Sequence, residues 1–339
     1  MPEQGESEAL FEQPAESSSG AAAPAAAPAS ATILSTWIAA DPASLGLLNE
    51  VRRIAASAST VLIRGESGTG KDLLASVIHY LGPRPEEPLV KIDCATLPLE
   101  LVESELFGYE RGAFTGATQL KRGRLELAAS GTIVLDEIAT LSMAMQAKLL
   151  RVIEEKRFER LGATRTFSVN ARIVALTSVD LEHAVTRRTF REDLYYRLNV
   201  IPVMVPALRQ RPGDIRPLAE HFLAQLAEVH RKPRIALAPA AMAALEKYAY
   251  PGNVRELRNI LERAVVSCAA PEILLQDLPV HVRDAASWGA NKKMTLEELE
   301  RAYIAEVLDY TRGKKSLAAR ILGISRKTLL EKRKRYGLD

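Results

Sequence analysis

The chain has 339 residues, 47% hydrophobic and 26% charged, an ordinary soluble composition with room for two or three domains of roughly 100–200 residues each. No apolar run approaches the roughly 18 residues of a membrane span, and the N-terminus is acidic where a secretory signal would be basic, which excludes a membrane-spanning helix and points to the cytoplasm. Cys94 and Cys268 stand far apart at no metal-ligand spacing, so both are expected to be small buried apolar residues in a reducing compartment.

Residues 1–34 are acidic and then Ala/Pro/Ser-rich, with almost nothing to bury, and read as a disordered tail. From Leu45 the residues Leu48, Val51, Ile54 and Ala55 recur at helical spacing and predict a short amphipathic helix. Thr60 to Asp72 then gives a β-branched and apolar run followed by Gly65-Glu66-Ser67-Gly68-Thr69-Gly70-Lys71-Asp72. After a buried strand, such glycines let successive backbone N–H groups turn inward. The next helix presents its positive N-terminal end, and Lys71 can reach terminal phosphates. The expected ligand is a nucleoside triphosphate with Mg²⁺. Asp72 stands where a hydroxyl usually meets the metal, so either its carboxylate or an intervening water is expected to serve there.

Pro83 to Pro88 break the chain, and Leu89 to Asp93 makes a second strand, an order that argues a parallel sheet with right-handed crossovers. The hexamer Gly112-Ala113-Phe114-Thr115-Gly116-Ala117 has neither helical nor strand period. It reads either as a surface turn or, because it places an aromatic at a glycine-hinged tip, as a contact with a partner. Gly131 to Leu135 is an apolar strand ending in Asp136 and Glu137, the pair a nucleotide hydrolase needs: one acid for Mg²⁺ or its waters, the next to polarise the attacking water. A helix over Met145–Ile153 and a strand over Arg172–Thr177 continue the alternation. Thr177 and Ser178 form either a γ-phosphate sensor or a plain strand-to-helix turn. Arg191 and Arg197 suit surface ion pairs or, in an oligomer, arginine fingers crossing a subunit interface.

Helical patterns follow over Ile215–Val229, Pro239–Tyr248 and Asn253–Ser267, the last opened by the turn signal Pro251-Gly252-Asn253 and carrying Arg255 in its first turn. Residues 271–294 hold Pro271, Pro279 and Gly289 without sustained period and read as a linker. A first helix after Thr295, a short one capped by Ser316, a turn at Gly323 and a last helix Arg326–Tyr336 capped by Ser325 complete the chain. Residues 312–339 carry ten Lys or Arg against two acids, while the whole chain stands at only +3. A basic tail on an acidic body suits a helix-turn-helix on double-stranded DNA, with Ser325, Arg326, Lys327, Thr328, Lys332 and Arg333 as candidate contacts; a merely solvated basic helix is the alternative.

Over residues 35–339 these motifs resemble the bacterial enhancer-binding proteins, the AAA+ activators of sigma-54 RNA polymerase. Gly112 to Ala117 matches the family's signature loop in every position. The resemblance implies an α/β AAA+ P-loop NTPase with a parallel sheet over 35–208, a helical lid over 209–270, a linker over 271–294 and a Fis-type helix-turn-helix over 295–339. It implies a hexamer that couples ATP hydrolysis to sigma-54 contact through the signature loop. Gly65 to Asp72 resembles Walker A, where an acid after the lysine is usual; Asp136 and Glu137 resemble Walker B, Thr177 and Ser178 the first sensor, Arg191 and Arg197 the fingers, and Arg255 the second sensor. Three positions depart from the family. Asp93 replaces an Asn that holds the Walker B glutamate inactive, Ser178 replaces an Asn or His, and Tyr250 replaces a Trp. A tail of about 30 residues is too short for the N-terminal sensory domain of most relatives, so control is expected from a trans-acting regulatory protein. Rival readings are a nucleotide-assembled repressor acting by occlusion and a AAA+ remodeller of another protein, the latter accounting for neither the signature loop nor the basic tail.

Overall fold

A computed structural model of the chain describes residues 36–96, 98–232, 235–268, 270–288, 296–311 and 315–337; the expected tail over 1–34 lies outside them. The chain divides into two compact units, one of residues up to Pro217 together with Gly252–Val254, the other of Leu218–Pro251 and Arg255 onward.

The first unit is built on a five-stranded sheet, β1 (Val61–Arg64), β2 (Leu89–Asp93), β3 (Thr132–Asp136), β4 (Arg172–Thr177) and β5 (Ile201–Met204). Its order is β2-β3-β4-β1-β5 and every pairing is parallel, as the strand–helix alternation predicts. Burial on both faces explains the unbroken apolar runs. Ile133 and Leu135 of β3, Ile173 and Ala175 of β4 and Leu62 of β1 enter one core cluster; Val134, Val174, Leu176, Val61 and Ile63 enter the other. Side chains alternate across the pleat, so one sheet supplies both cores. The helix Pro42–Ala55 begins three residues before the predicted start because Asp41 caps it, accepting from Ala43 N–H at 2.9 Å, and Pro42 suits a first turn. The helix Met143–Glu155 contains the predicted Met145–Ile153 stretch.

The register aligns the strand ends. Asp93 pairs with Asp136 and Arg64 with Thr177, so the phosphate loop, the acid pair and the Thr177-Ser178 turn leave the sheet at one edge, where open parallel sheets bind ligands. Cys94 is buried there, and desolvation, with Asp93, Asp136 and Glu137 nearby, pushes its thiol up to about 12; it stays protonated.

In the second unit, the helix Pro239–Lys247 and the part of the helix Asn253–Ser267 from Arg255 onward fall where their periods place them. Lys232 Nζ caps the latter's last carbonyls, donating to Val265 O at 2.7 Å and Cys268 O at 2.6 Å. The expected linker is not featureless. Glu272–Ile273 pairs in parallel with Ala236–Leu237, and Val280–Trp288 is a helix whose Val282 is fully buried.

The last three helices, Leu296–Tyr310, Lys315–Ile321 and Arg326–Tyr336, share a core of Ile304, Val307, Ala318, Ala319, Leu329 and Tyr336. Ser325 caps the last helix as predicted, its Oγ accepting from Thr328 N–H at 3.0 Å, and Gly323 takes the left-handed turn at φ +67°. Ser316 is not a cap, because the short helix already begins at Lys315.

Candidate functional site

At the sheet edge, Gly68 and Gly70 adopt φ +77° and +99°, left-handed conformations that any other residue enters at a cost. They bend residues 65–70 over the start of the helix Lys71–Tyr80, whose N-terminus has no side-chain cap and so keeps free amides for an anion. Lys71 is buried, its Nζ donating to Gly65 O at 2.9 Å and Glu66 O at 3.2 Å and lying 3.6 Å from Glu137 Oε1. The ammonium is thus held by the loop's own carbonyls. Thr69 Oγ1 closes the loop on Glu66 O at 2.8 Å.

The acids divide as predicted in place but not all in partnership. Asp136 accepts from Glu137 N–H at 2.9 Å; burial holds its carboxyl above the usual range, the neighbouring charges of Glu137 and Asp72 adding to the shift. Asp72 is exposed, and both its oxygens accept from Lys91 Nζ at 2.8 Å, so its carboxylate already has a cation. Glu137 Oε2 accepts from Ser178 Oγ at 2.8 Å and Ser178 N–H at 3.1 Å. Thr177, by contrast, is fully buried, and its hydroxyl serves its own turn, accepting from Val179 N–H at 3.0 Å and donating to Val179 O at 3.2 Å. Of the two expected sensor residues only Ser178 faces the acid pair.

Arg191 opens the helix Glu192–Leu198 and pairs with Asp193 at 2.7 Å; Arg197, 60% exposed, pairs with Glu154 at 2.8 Å. Within one chain both take the ordinary surface partnership. Arg255 lies on the helix Asn253–Ser267, in the second unit.

Four residues that bear on the loop escaped sequence reasoning. Asn253, expected as a turn and cap residue, is fully buried at φ +53°. Its Oδ1 accepts from Leu208 N–H at 2.8 Å while Nδ2 donates to Glu66 Oε2 and Ser67 O, each at 3.1 Å. Arg209 completes the clasp on Glu66 at 2.8 Å, and these two partners, Arg209 first, pull the Glu66 carboxyl down to about 2. Arg211, buried, donates to Thr69 O at 2.7 Å; desolvation lowers its pKa, the nearby Asp214 and Asp41 opposing that shift. Asp214, fully buried, accepts from the N–H groups of Ala40 and Asp41 and from Ser44 Oγ. The Arg-Pro-Gly-Asp string at 211–214 was the available signal, since a buried Arg and Asp need such partners.

The signature hexamer is an ordered turn. Gly112 N–H donates to Ala117 O at 2.8 Å, and Gly112 and Gly116 take φ +85° and +106°. Phe114 is 46% exposed with its edge on Tyr109, centroids 5.0 Å apart, and Thr115 is exposed. Ala117, expected among the contacts, is instead buried at 5% exposure and serves the base of the turn. The loop rests on residues 160–163: Glu110 N–H donates to Leu161 O and Leu161 N–H to Gly108 O, both at 3.0 Å. A Cβ on Gly162 would stand 2.9 Å from that of Ala113. Arg160 pins the platform, bonded to Glu126 and Glu110 at 2.7 Å and stacked on Phe167 at 4.3 Å.

On the last helix, Arg326 and Lys327 are exposed and Thr328 half-buried. Lys332, expected to reach DNA, is instead bonded to Glu300 at 2.5 Å, and Arg335 to Glu297 at 2.9 Å; Tyr336 OH also donates to Glu300 at 2.7 Å. Those residues staple the helix to its neighbour. Arg333 shares the helix's last turn.

Among the described residues no helix is long and apolar enough to cross a membrane. Residues 37–204 match the sigma-54 interaction domain, 209–295 an AAA+ ATPase lid domain, taking in the expected linker, and 295–336 the bacterial regulatory proteins of the Fis family. The chain is 44% identical to the regulatory protein AtoC of Escherichia coli K12, over 88% of this chain and 67% of AtoC. It is 47% identical to the transcriptional regulatory protein ZraR of Klebsiella oxytoca, over 86% and 67%. The crystal structure of NtrX from Brucella abortus in complex with ATP is similar at a TM-score of 0.69 and 34% identity, over 88% of this chain and 69% of that one. Signature loop, phosphate site and these matches agree: the chain belongs to the bacterial sigma-54-dependent transcriptional activators, with an AAA+ ATPase domain, its lid and a Fis-type helix-turn-helix.

Proposed function

We propose that the chain works as a ring, hexameric as the family resemblance implies, that binds upstream DNA through its last three helices. It turns ATP hydrolysis into remodelling of the closed sigma-54 polymerase complex through Phe114 and Thr115. The observation that carries this reading is that the hydrolytic site and an exposed aromatic tip belong to one unit. The tip also stands on a platform fixed by the Arg160 network.

Each residue has a task in this reading. The amides of residues 66–71 and Lys71 take the phosphates, Asn253 and Arg209 keep Glu66 and the loop in shape, and Glu137 accepts the proton of the attacking water. Arg191 and Arg197 exchange their present acids for a neighbouring subunit's phosphates, while Ser178 acts on Glu137 and Arg255 acts from the lid. A magnesium ion suits the acids, because Asp136 is buried near Glu137 and Asp72, its carboxyl pushed up first by that burial and then by the two neighbouring charges. Asp136 would hold it directly, and Asp72, now paired with Lys91, through a water. The ion would supply charge neutralisation on the phosphates. Arg326, Lys327 and Thr328 face DNA, with Arg333 beside them.

The test is Thr115→Ala. Promoter opening by sigma-54 holoenzyme should be lost while ATP hydrolysis stays within about twofold, since the tip is exposed and touches no group of the phosphate site. Opening at the parent's rate would refute the loop assignment.

A further inference from the structure

Arg64, a position no motif singles out, stands at the root of the phosphate loop. It is the last residue of β1, directly before Gly65. Its backbone is fixed within the sheet, in register with Thr177 of β4 and Met204 of β5, and its carbonyl accepts from Val205 N–H at 2.8 Å. Its side chain is 17% exposed and meets three partners at once. Nη1 donates to Glu182 Oε1 at 3.1 Å, while Nη2 donates to Tyr195 OH at 2.9 Å and to Asn199 Oδ1 at 3.1 Å.

The three partners also hold one another. Tyr195 OH donates to Glu182 Oε1 at 2.6 Å and accepts from Asn199 Nδ2 at 2.9 Å. Glu182 stands in the first turn of the helix Leu181–Thr186, and Tyr195 and Asn199 are a buried residue and the C-terminal cap of the helix Glu192–Leu198. One guanidinium therefore ties two helices to the end of β1.

The helix Glu192–Leu198 is the one that Arg191 opens and that carries Arg197. Leu194 and Leu198, both fully buried, seat it on the core, but apolar contact is non-directional and leaves the helix free to turn or slide by small amounts. A planar cation with three acceptors fixes both. Tyr195 passes that constraint on. Its N–H donates to Arg191 O at 3.0 Å, and Arg197, two residues further at about 100° per residue, projects from the opposite side of the helix, where it is 60% exposed.

We propose that Arg64 is a positioning residue for the neighbouring subunit's ATPase site: by clamping Glu182, Tyr195 and Asn199 it sets the angle from which Arg191 and Arg197 cross the interface. The clamp rests on the proposed ring, in which those arginines act across subunits. A displacement of about 1 Å at such a group costs on the order of a hundredfold in rate. Arg64 thus serves a site other than the one whose loop it precedes.

Steady-state ATPase of the full chain, alone and in mixtures, tests this. Arg64→Lys keeps the charge and loses the planar fork; kcat should fall about ten- to a hundredfold, with ADP affinity, which reads the variant's own phosphate loop, within about twofold of the parent. Lys71→Ala chains have a disabled phosphate loop and intact crossing arginines, and Arg64→Lys chains have the reverse. Mixed rings join the sound loop of one to the sound arginines of the other, so the mixture should hydrolyse ATP severalfold faster than the sum of the two measured apart. A mixture of Arg197→Ala with Lys71→Ala should gain in the same way. An Arg64→Lys chain with the parent's kcat would overturn the clamp. A gain in the Arg197→Ala mixture without one in the Arg64→Lys mixture would overturn it too, and assign Arg64 to its own subunit's loop. Absence of gain in both would overturn the crossing of Arg197 and the clamp with it.

Discussion

Asn253→Ala should weaken the ATPase unit more than any exposed substitution, and the size of the loss follows from three contacts. Removing Oδ1 strands the buried Leu208 N–H, at about 1–3 kcal/mol. Removing Nδ2 takes one donor each from Glu66 and Ser67, about 1 kcal/mol more because one acceptor is charged but exposed. Alanine must also adopt φ +53°, a further ~1 kcal/mol. The sum is about 3–5 kcal/mol. Asn253→Gly loses the same bonds without the backbone strain and should be about 1 kcal/mol less damaging, although glycine is the poorer helix former. Calorimetric melting of the full chain reads the difference: at roughly 2–4 °C per kcal/mol for a unit of this size, alanine should lower the transition of the ATPase unit by about 6–20 °C and glycine by a few degrees less. ADP affinity should fall in both. A glycine variant that melts with the parent, or an alanine variant more stable than the glycine one, would refute the role given to the side chain and its left-handed backbone.

Other expectations rest on single contacts. A double-mutant cycle of Arg160→Met and Glu126→Gln should show about 1–3 kcal/mol of coupling, because the pair is half-buried and bidentate; additivity within about 0.5 kcal/mol would mean the platform is held otherwise. His79 is buried with Nδ1 2.9 Å from Thr132 Oγ1, and desolvation keeps its pKa below the ordinary value. The unfolded chain therefore takes up a proton near pH 6.5 that the folded chain accepts only lower, and stability falls as pH drops through that window. His79→Gln, which cannot titrate, should lose less stability between pH 7.5 and 5.5 than the parent in urea unfolding; equal losses would contradict the buried neutral imidazole. In DNA binding, Lys327→Ala should reduce the salt dependence by about one counterion. Lys332→Ala should mainly lower the melting of the last three helices, since that lysine bonds Glu300; equal salt slopes for the two would refute the division.

The sequence carried the elements whose burial is two-sided or regularly amphipathic. Leu89–Asp93, Arg172–Thr177 and Asn253–Ser267 end where their patterns end. Val280–Trp288 was illegible because it is short and among its residues Val282 stands out as fully buried, too little to make a period. The motifs placed Lys71, Asp136 and Glu137 at the sheet edge and Phe114 at an exposed loop tip, because each belongs to a short contiguous stretch of the chain. Partnerships were hidden wherever they join distant positions. Asn253 meets Glu66 across 187 residues, Ser178 meets Glu137 across 41, and Lys332 turns to Glu300. No local pattern tells a basic helix which of its charges face DNA and which face its own domain. The same holds for Asp72, whose proximity to Lys91 depends on strand order.

The most direct test is open-complex formation by purified sigma-54 holoenzyme on a supercoiled sigma-54 promoter bearing an upstream site for this chain, with ATP or a non-hydrolysable analogue. Melting of the promoter with ATP and not with the analogue is the expected result. A closed promoter in both, under conditions where the chain binds the DNA and hydrolyses ATP, would contradict activation by remodelling and favour repression by occlusion.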